Sequence, residues 1–255
     1  KLSRYLSPQI HKQIFSGKES AEVKSSRKKL TILFSDIVDF TAISDQLESE
    51  ELTNILNFYL NEMSEIAFKF GGTVDKYIGD GIMIFFGDPE SAGAEQDAKV
   101  CVQMAIEMQK RMGELKDYWG KQFGLANPIE IRIGINTGFC TVGNFGSNQR
   151  LDYTAMGGQV NLASRLESLA SPGSIVVSEE TYILIKSLYK FQQPKRIDIK
   201  GFARTVTYFE MDVKSSAKMH FSNLNGTGYE LIINEDLFTN ESLKELKKSL
   251  SDYEV

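Results

Sequence analysis

The chain has 255 residues, 42% hydrophobic and 25% charged, with a formal net charge of −5. That suffices for one large core or a domain with appendages, and the acidic balance argues against a nucleic-acid partner. Cys101 and Cys140 are the only cysteines and form neither a disulfide framework nor a zinc pattern, which points to a reducing, cytoplasmic compartment.

No apolar run approaches the roughly 18 residues that a membrane span needs, and no signal peptide is visible. Beginning at Lys1 rather than Met, the chain reads as part of something longer, with a regulatory domain expected upstream. Residues 1–29 read as a polar connector, with a short helix from Ser7-Pro8 through Ile10, Ile14 and Phe15 and a charged linker from Gly17. A buried strand starts at Leu30 and ends at Asp36, where Asp39 or Thr41 caps a short helix. Helical spacing of Leu52, Ile55, Tyr59, Met63 and Ile66 follows, closed by Gly71-Gly72. Thr73 to Ile78 and Ile82 to Phe86 make a hairpin around Gly79-Asp80-Gly81.

Ala98, Cys101, Ala105, Met108 and Met112 lie along one face of a second long helix. Ile129, Ile131, Ile133 and Ile135 alternate with polar residues as a half-buried strand, and Phe139 to Val142 is expected to pair back on it. A helix over about Gln159 to Ala170, a strand from Ser174 to Val177, a helix from Glu179 to Lys186 and strands at Ile197 to Ile199 and Val206 to Met211 complete a core spanning 30–213. This order predicts a mixed sheet with helices on one main face. Residues 214–255 read as an appendage, polar and turn-rich to Gly228 and ending in an amphipathic helix around Leu243 to Leu250.

Both histidines, His11 and His220, lie outside 30–213. Chemistry in the core must therefore use carboxylates, Lys or Arg, hydroxyls or hard cations held by oxygen. Asp36 ends a buried strand and Asp80 sits in the adjacent hairpin turn; two carboxylates brought together repel unless cations lie between them. Mg²⁺ favours one or two carboxylates plus substrate phosphates. Each residue has a structural reading of its own: Asp-Gly is a common hairpin pair, and Asp36 can cap a helix. The turn from Ile37 to Thr41 offers backbone N–H groups for phosphate. Gly157-Gly158 opens a helix on which Asn161 and Arg165, four apart, share a face suited to ribose or phosphate, or to plain solvent.

Five segments in order then carry a resemblance: Phe34-Ser35-Asp36-Ile37-Val38-Asp39-Phe40-Thr41, Asp75-Lys76-Tyr77-Ile78-Gly79-Asp80-Gly81, Arg132-Ile133-Gly134-Ile135-Asn136-Thr137-Gly138, Asp152-Tyr153-Thr154, and Asn161-Leu162-Ala163-Ser164-Arg165. Over roughly 28–213 the sequence resembles the class III nucleotidyl cyclases, most like bacterial adenylate cyclases. The resemblance implies an α+β, ferredoxin-like, palm-type fold: a mixed β-sheet with helices packed on it. It implies two divalent ions, Mg²⁺ or Mn²⁺, held by Asp36, Asp80 and the Ile37 carbonyl, with Phe40 and Thr41 in the phosphate-binding turn. Lys76 and Thr154 match the pair that reads the purine, Asn161 and Arg165 the residues that orient the ribose and stabilise the transition state. Lys200 matches a lysine on the terminal phosphates, and Arg150 resembles a further triphosphate-binding arginine. The implied site is shared between two catalytic domains, which for this chain means a homodimer.

Adenine offers an acceptor at N1 and a donor amine at position 6; Lys76 donates to the first and Thr154 accepts from the second. Guanine reverses both, and family guanylyl cyclases typically place an acid where Lys76 stands. The expected partner is therefore ATP, converted to cyclic AMP and pyrophosphate. A guanylyl or mixed-specificity cyclase and a non-catalytic nucleotide-binding regulatory domain are the alternatives. A diguanylate cyclase or polymerase palm shares the two-metal logic, but the chain lacks a Gly-Gly-Asp/Glu-Glu-Phe run and a basic surface.

Overall fold

The computed structural model describes residues 8–15, 24–147, 149–199, 202, 204–213, 221–226, 229–234 and 239–251. In chain order the elements begin with α1 (Pro8–Phe15), β1 (Ser25–Ile37), α2 (Phe40–Ser44), α3 (Ser49–Lys69), β2 (Thr73–Ile78) and β3 (Gly81–Phe86). They continue with α4 (Ala94–Glu114), α5 (Lys116–Phe123), β4 (Ile131–Ser147), β5 (Arg150–Met156), α6 (Gly158–Leu169) and β6 (Ile175–Ser178). Last come α7 (Glu179–Ile185), β7 (Lys195–Ile197), β8 (Val206–Glu210), β9 (Phe221–Gly226), β10 (Tyr229–Asn234) and α8 (Asn240–Ser251). Contacts divide the chain into two units, Lys1–Val213 and Lys214–Val255.

The first unit is built on one mixed eight-stranded sheet ordered β2-β3-β1-β4-β6-β8-β7, with β5 branching from β4. Its β4–β6 pair is parallel; the pairs on either side are antiparallel. Because side chains alternate across a strand, β1 feeds two cores. Ser35 meets Tyr59 of α3, and Thr31 joins Thr137 and Thr181 in a buried hydroxyl chain that reaches α7. On the opposite face Leu30 and Ile32 pack with Val160 and Ala163 of α6. The sheet thus has helices on both faces, α3, α4 and α7 on one and α6 on the other, rather than on one main face alone.

Three local differences from the sequence reading have physical causes. β1 begins at Ser25 instead of Leu30; its first residues are exposed and polar, so no apolar pattern marks them, yet they pair with Phe139 to Gly143. The expected pairing of Phe139 to Val142 with the Ile129–Ile135 strand is incorrect: both belong to β4, one continuous strand whose whole length pairs with β1 or β5. Gly138, which invites a turn, is needed for close packing, since a Cβ there would lie 2.7 Å from the Gln159 side chain of α6. The stretch leading into α6 is itself a strand, β5, which pairs antiparallel with the end of β4. The second unit holds a two-stranded antiparallel sheet, β9–β10, and the amphipathic α8.

Candidate active site

β1 delivers Asp36 and Ile37 to one end of the sheet, and the β2–β3 turn brings Asp80 beside them. The Ile37 N–H donates to Asp80 Oδ2 at 2.9 Å, which pins the hairpin to the end of β1. In the β1–β4 register Asp36 stands opposite Arg132. The Arg132 guanidinium grips Asp36 in a two-pronged bond, Nε to Oδ1 at 2.7 Å and an Nη to Oδ2 at 2.8 Å. Asp36, Ile37, Phe40, Thr41, Asp80 and Arg132 line a common cavity of about 500 Å³. Asp39, at the mouth of this cavity, has φ 54°, a left-handed conformation uncommon outside glycine but tolerated by Asp. It turns the chain sharply off β1 into the one-turn helix α2.

The electrostatics are those of crowded acids around one cation. Burial raises the Asp80 carboxyl above its ordinary range; the Ile37 N–H opposes this and the Asp36 charge adds to it. Glu167 of α6 reaches the same spot, with Oε1 2.7 Å from Arg132 Nε. Burial, then a hydrogen bond and charge repulsion from Asp36, push its carboxyl up to about 8. Arg132 is driven further above its already high value, chiefly by its bond to Asp36.

Among the described residues no group of three or more His, Cys, Asp or Glu side chains is arranged to hold a metal. Two carboxylates and a strand-end carbonyl fit a hard divalent ion only if substrate phosphates and water complete its shell, as Mg²⁺ prefers. The like charges of Asp36 and Asp80 facing one open cavity match that requirement.

A second cavity, of about 540 Å³, opens on the far side of β2 and is lined by Asp75, Lys76, Arg150 and Asp152. Thr154 lies just behind it, buried, its hydroxyl 2.6 Å from Asp75 Oδ2. Arg150 is thus placed with Lys76 and not with Asp36 and Asp80. Asn161 and Arg165 form an exposed stripe on the outer face of α6. Arg165 and Glu167 are two residues apart, about 200° around a helix. With Glu167 turned inward against Asp36, Arg165 faces away from it. One chain therefore presents the expected residues in three places: Asp36 and Asp80 at one cavity, Lys76 and Arg150 at another, and Asn161 and Arg165 on the outer face of α6. Lys200 lies outside the described residues.

In sequence Arg132 is visible only as part of a motif, and Glu167 stands in none. Arg132 had a legible signal: it is the charged position in the alternation Ile131, Ile133, Ile135, placed across from a strand ending in Asp36. Glu167 had none, because its role depends on where α6 docks.

The cavity at these strand ends is walled by two carboxylates and an arginine, the donor types that a divalent ion and phosphate oxygens would take. A family model described as the adenylate and guanylate cyclase catalytic domain matches residues 22–212, and the chain belongs to that family. It is 32% identical over 203 residues to an adenylate cyclase of Anabaena cylindrica, covering 76% of this chain and 39% of the relative. An adenylate cyclase 1 of Rhizobium meliloti is 30% identical over 72% of this chain and 28% of its own length. This chain thus spans well under half the length of these curated relatives. Among solved structures, the adenylyl cyclase CyaB from P. aeruginosa matches with 53% identity and a TM-score of 0.71, over 74% of this chain and 96% of that one. The guanylyl cyclase Cya2 matches with 36% identity and a TM-score of 0.69, over 73% and 93%.

Proposed function

We propose that this domain is an adenylate cyclase that converts ATP to 3′,5′-cyclic AMP and pyrophosphate at two equivalent sites shared between two copies of the chain. The observation that carries the reading is the division of the site. Asp36, Asp80 and Arg132 face one cavity, while Asn161 and Arg165 stand on the outward face of α6. The two groups complete one site when the second comes from a partner, and two-fold symmetry makes both sites alike.

In that complex the ribose 3′-hydroxyl attacks the α-phosphorus in line and pyrophosphate leaves. Divalent ions held by Asp36, Asp80 and the Ile37 carbonyl would supply charge neutralisation and a lowered pKa for the attacking hydroxyl. Arg132 can exchange its grip on Asp36 for a phosphate, since both present paired oxygens to its fork. Asn161 of the partner copy holds the ribose in line, and Arg165 of that copy stabilises charge developing on the α-phosphate. Lys76 donates to adenine N1 and Thr154 accepts from the amine, which favours ATP over GTP. Both adenylyl and guanylyl cyclases occur among the relatives, so the base-reading pair carries the choice between them.

Mixing two inactive variants tests the shared site. Asp36→Ala and Arg165→Ala proteins, each without activity alone, should recover about a quarter of wild-type cyclic AMP formation when co-refolded. Random pairing makes half the dimers mixed, and each mixed dimer has one intact site. No recovery would defeat the shared site, and pyrophosphate release with GTP alone would defeat the substrate assignment.

A further inference from the structure

Asp75 touches both members of the base-reading pair and has no role in the account above. It sits where the β2–β3 register shifts between Val74 and Lys76. In a regular strand Asp75 and Lys76 would point to opposite faces. The irregularity leaves Asp75 without a partner in the β2–β3 register, and both residues line one cavity. The Asp75 side chain is 1% exposed, and its Oδ1 lies 3.6 Å from the Lys76 ammonium. Its Oδ2 receives the Thr154 hydroxyl at 2.6 Å and the Ala155 N–H at 3.3 Å.

The direction of these bonds follows from the donors. A backbone N–H can only donate, so Asp75 Oδ2 acts as an acceptor. Thr154 therefore gives its single proton to that oxygen, and only its lone pairs remain for a ligand. The other acceptor within reach, the Ala155 carbonyl, is 3.4 Å away and holds the proton weakly by comparison. A free threonine hydroxyl can rotate to donate or accept, and so distinguishes adenine from guanine poorly. A hydroxyl whose proton is committed accepts from the adenine amine and meets the guanine oxygen lone pair to lone pair.

We propose that Asp75 is a specificity-determining positioning residue, which takes the Thr154 proton and turns that hydroxyl into an obligate acceptor. This rests on Lys76 and Thr154 reading the purine.

The test compares kcat/KM for ATP and for GTP on each enzyme preparation, so that the fraction of folded protein cancels in the ratio. Asp75→Ala is expected to lower the ATP-to-GTP ratio about tenfold, since a buried mismatch of this kind is relieved when the hydroxyl turns. Asp75→Asn can keep an oxygen facing Thr154 and Ala155, and should hold the ratio within about threefold of wild type. In a Thr154→Val background, adding Asp75→Ala should leave the ratio unchanged. Asp75→Leu replaces Asp75→Ala if the latter yields no folded protein, since it fills the space without an acceptor. Equal losses for both nucleotides, or a shift that persists without the Thr154 hydroxyl, would overturn the role of Asp75 while leaving the base-reading pair intact. A ratio unmoved by Thr154→Val would instead remove the reading on which it rests.

Discussion

Gly134 leaves no room for a side chain between β4 and α6, and Gly134→Ala should damage stability and activity together. A Cβ at Gly134 would lie 2.0 Å from the Glu167 nitrogen, 2.5 Å from the Ala163 carbonyl oxygen and 2.6 Å from the Glu167 Cα. All three are backbone atoms, so no rotamer change relieves the clash. An ordinary contact begins near 3.4 Å, which requires α6 to retreat by about 1.4 Å (3.4 − 2.0) at that point. Overpacking against rigid neighbours costs about 1–3 kcal/mol, and the upper end applies where backbone meets backbone. For a unit of this size about 3 kcal/mol lowers Tm by roughly 6–12 °C. The same retreat moves Asn161, Arg165 and Glu167, all carried by α6, and a displacement of about 1 Å at a reacting centre can reduce kcat roughly a hundredfold. Thermal unfolding and cyclic AMP formation should be measured beside Gly113→Ala, whose added methyl meets nothing within 4 Å on α4. That control should gain about 0.5–1 kcal/mol from helix propensity. A Gly134→Ala enzyme with Tm within 2 °C of wild type and full kcat would refute the claim that backbone contact sets the position of α6.

Two further outcomes follow from the cores. Arg132→Ala should raise KM for ATP about tenfold or more and lower kcat, because it removes a forked cation from the phosphate cavity; Arg132→Lys should recover part of the charge but not the bidentate geometry. Initial rates over a range of ATP concentrations would show this, and an unchanged KM would place the triphosphate elsewhere. Trp119 is fully buried, stacked on Phe123 at 6.0 Å and edge-on to Phe58 at 5.6 Å. Trp119→Ala should cost about 3–5 kcal/mol with little change in the ATP-to-GTP ratio, as read by denaturant unfolding and paired substrate assays.

The parts of this fold that periodicity announces were legible from the chain alone. The apolar stripe through Ile55, Tyr59 and Met63 and the run Ile82 to Phe86 identify α3 and β3 because core burial imposes the pattern directly. Where pairing rather than burial makes a strand, the pattern fails: Ser25 to Lys29 and much of β5 are polar or half-exposed and were missed or cut short. Gly138 misled for a related reason, since a glycine needed for close packing looks the same in sequence as one needed for a turn. Among the candidate site residues, Asp36, Asp80, Lys76 and Thr154 stand out in sequence because short motifs hold them. Arg132 and Asp75 were quoted with those motifs, yet what they grip is set by strand register and by a local irregularity. Neither can be counted along a sequence.

The long β1–β4 ladder has a mechanical meaning as well. It runs without a break in register from Ser25 opposite Gly143 to Ile37 opposite Ile131. At about 3.3 Å per residue its thirteen rungs make a rod some 40 Å long. Asp36 and Arg132 sit at one end, and the other end is the point where the chain enters the sheet. Thirteen successive pairings hold Ser25 and Asp36 in one ladder, so neither can slide along β4 without breaking the register of the other. The entry of the chain into the sheet and a carboxylate of the candidate site are thus two ends of one continuous ladder.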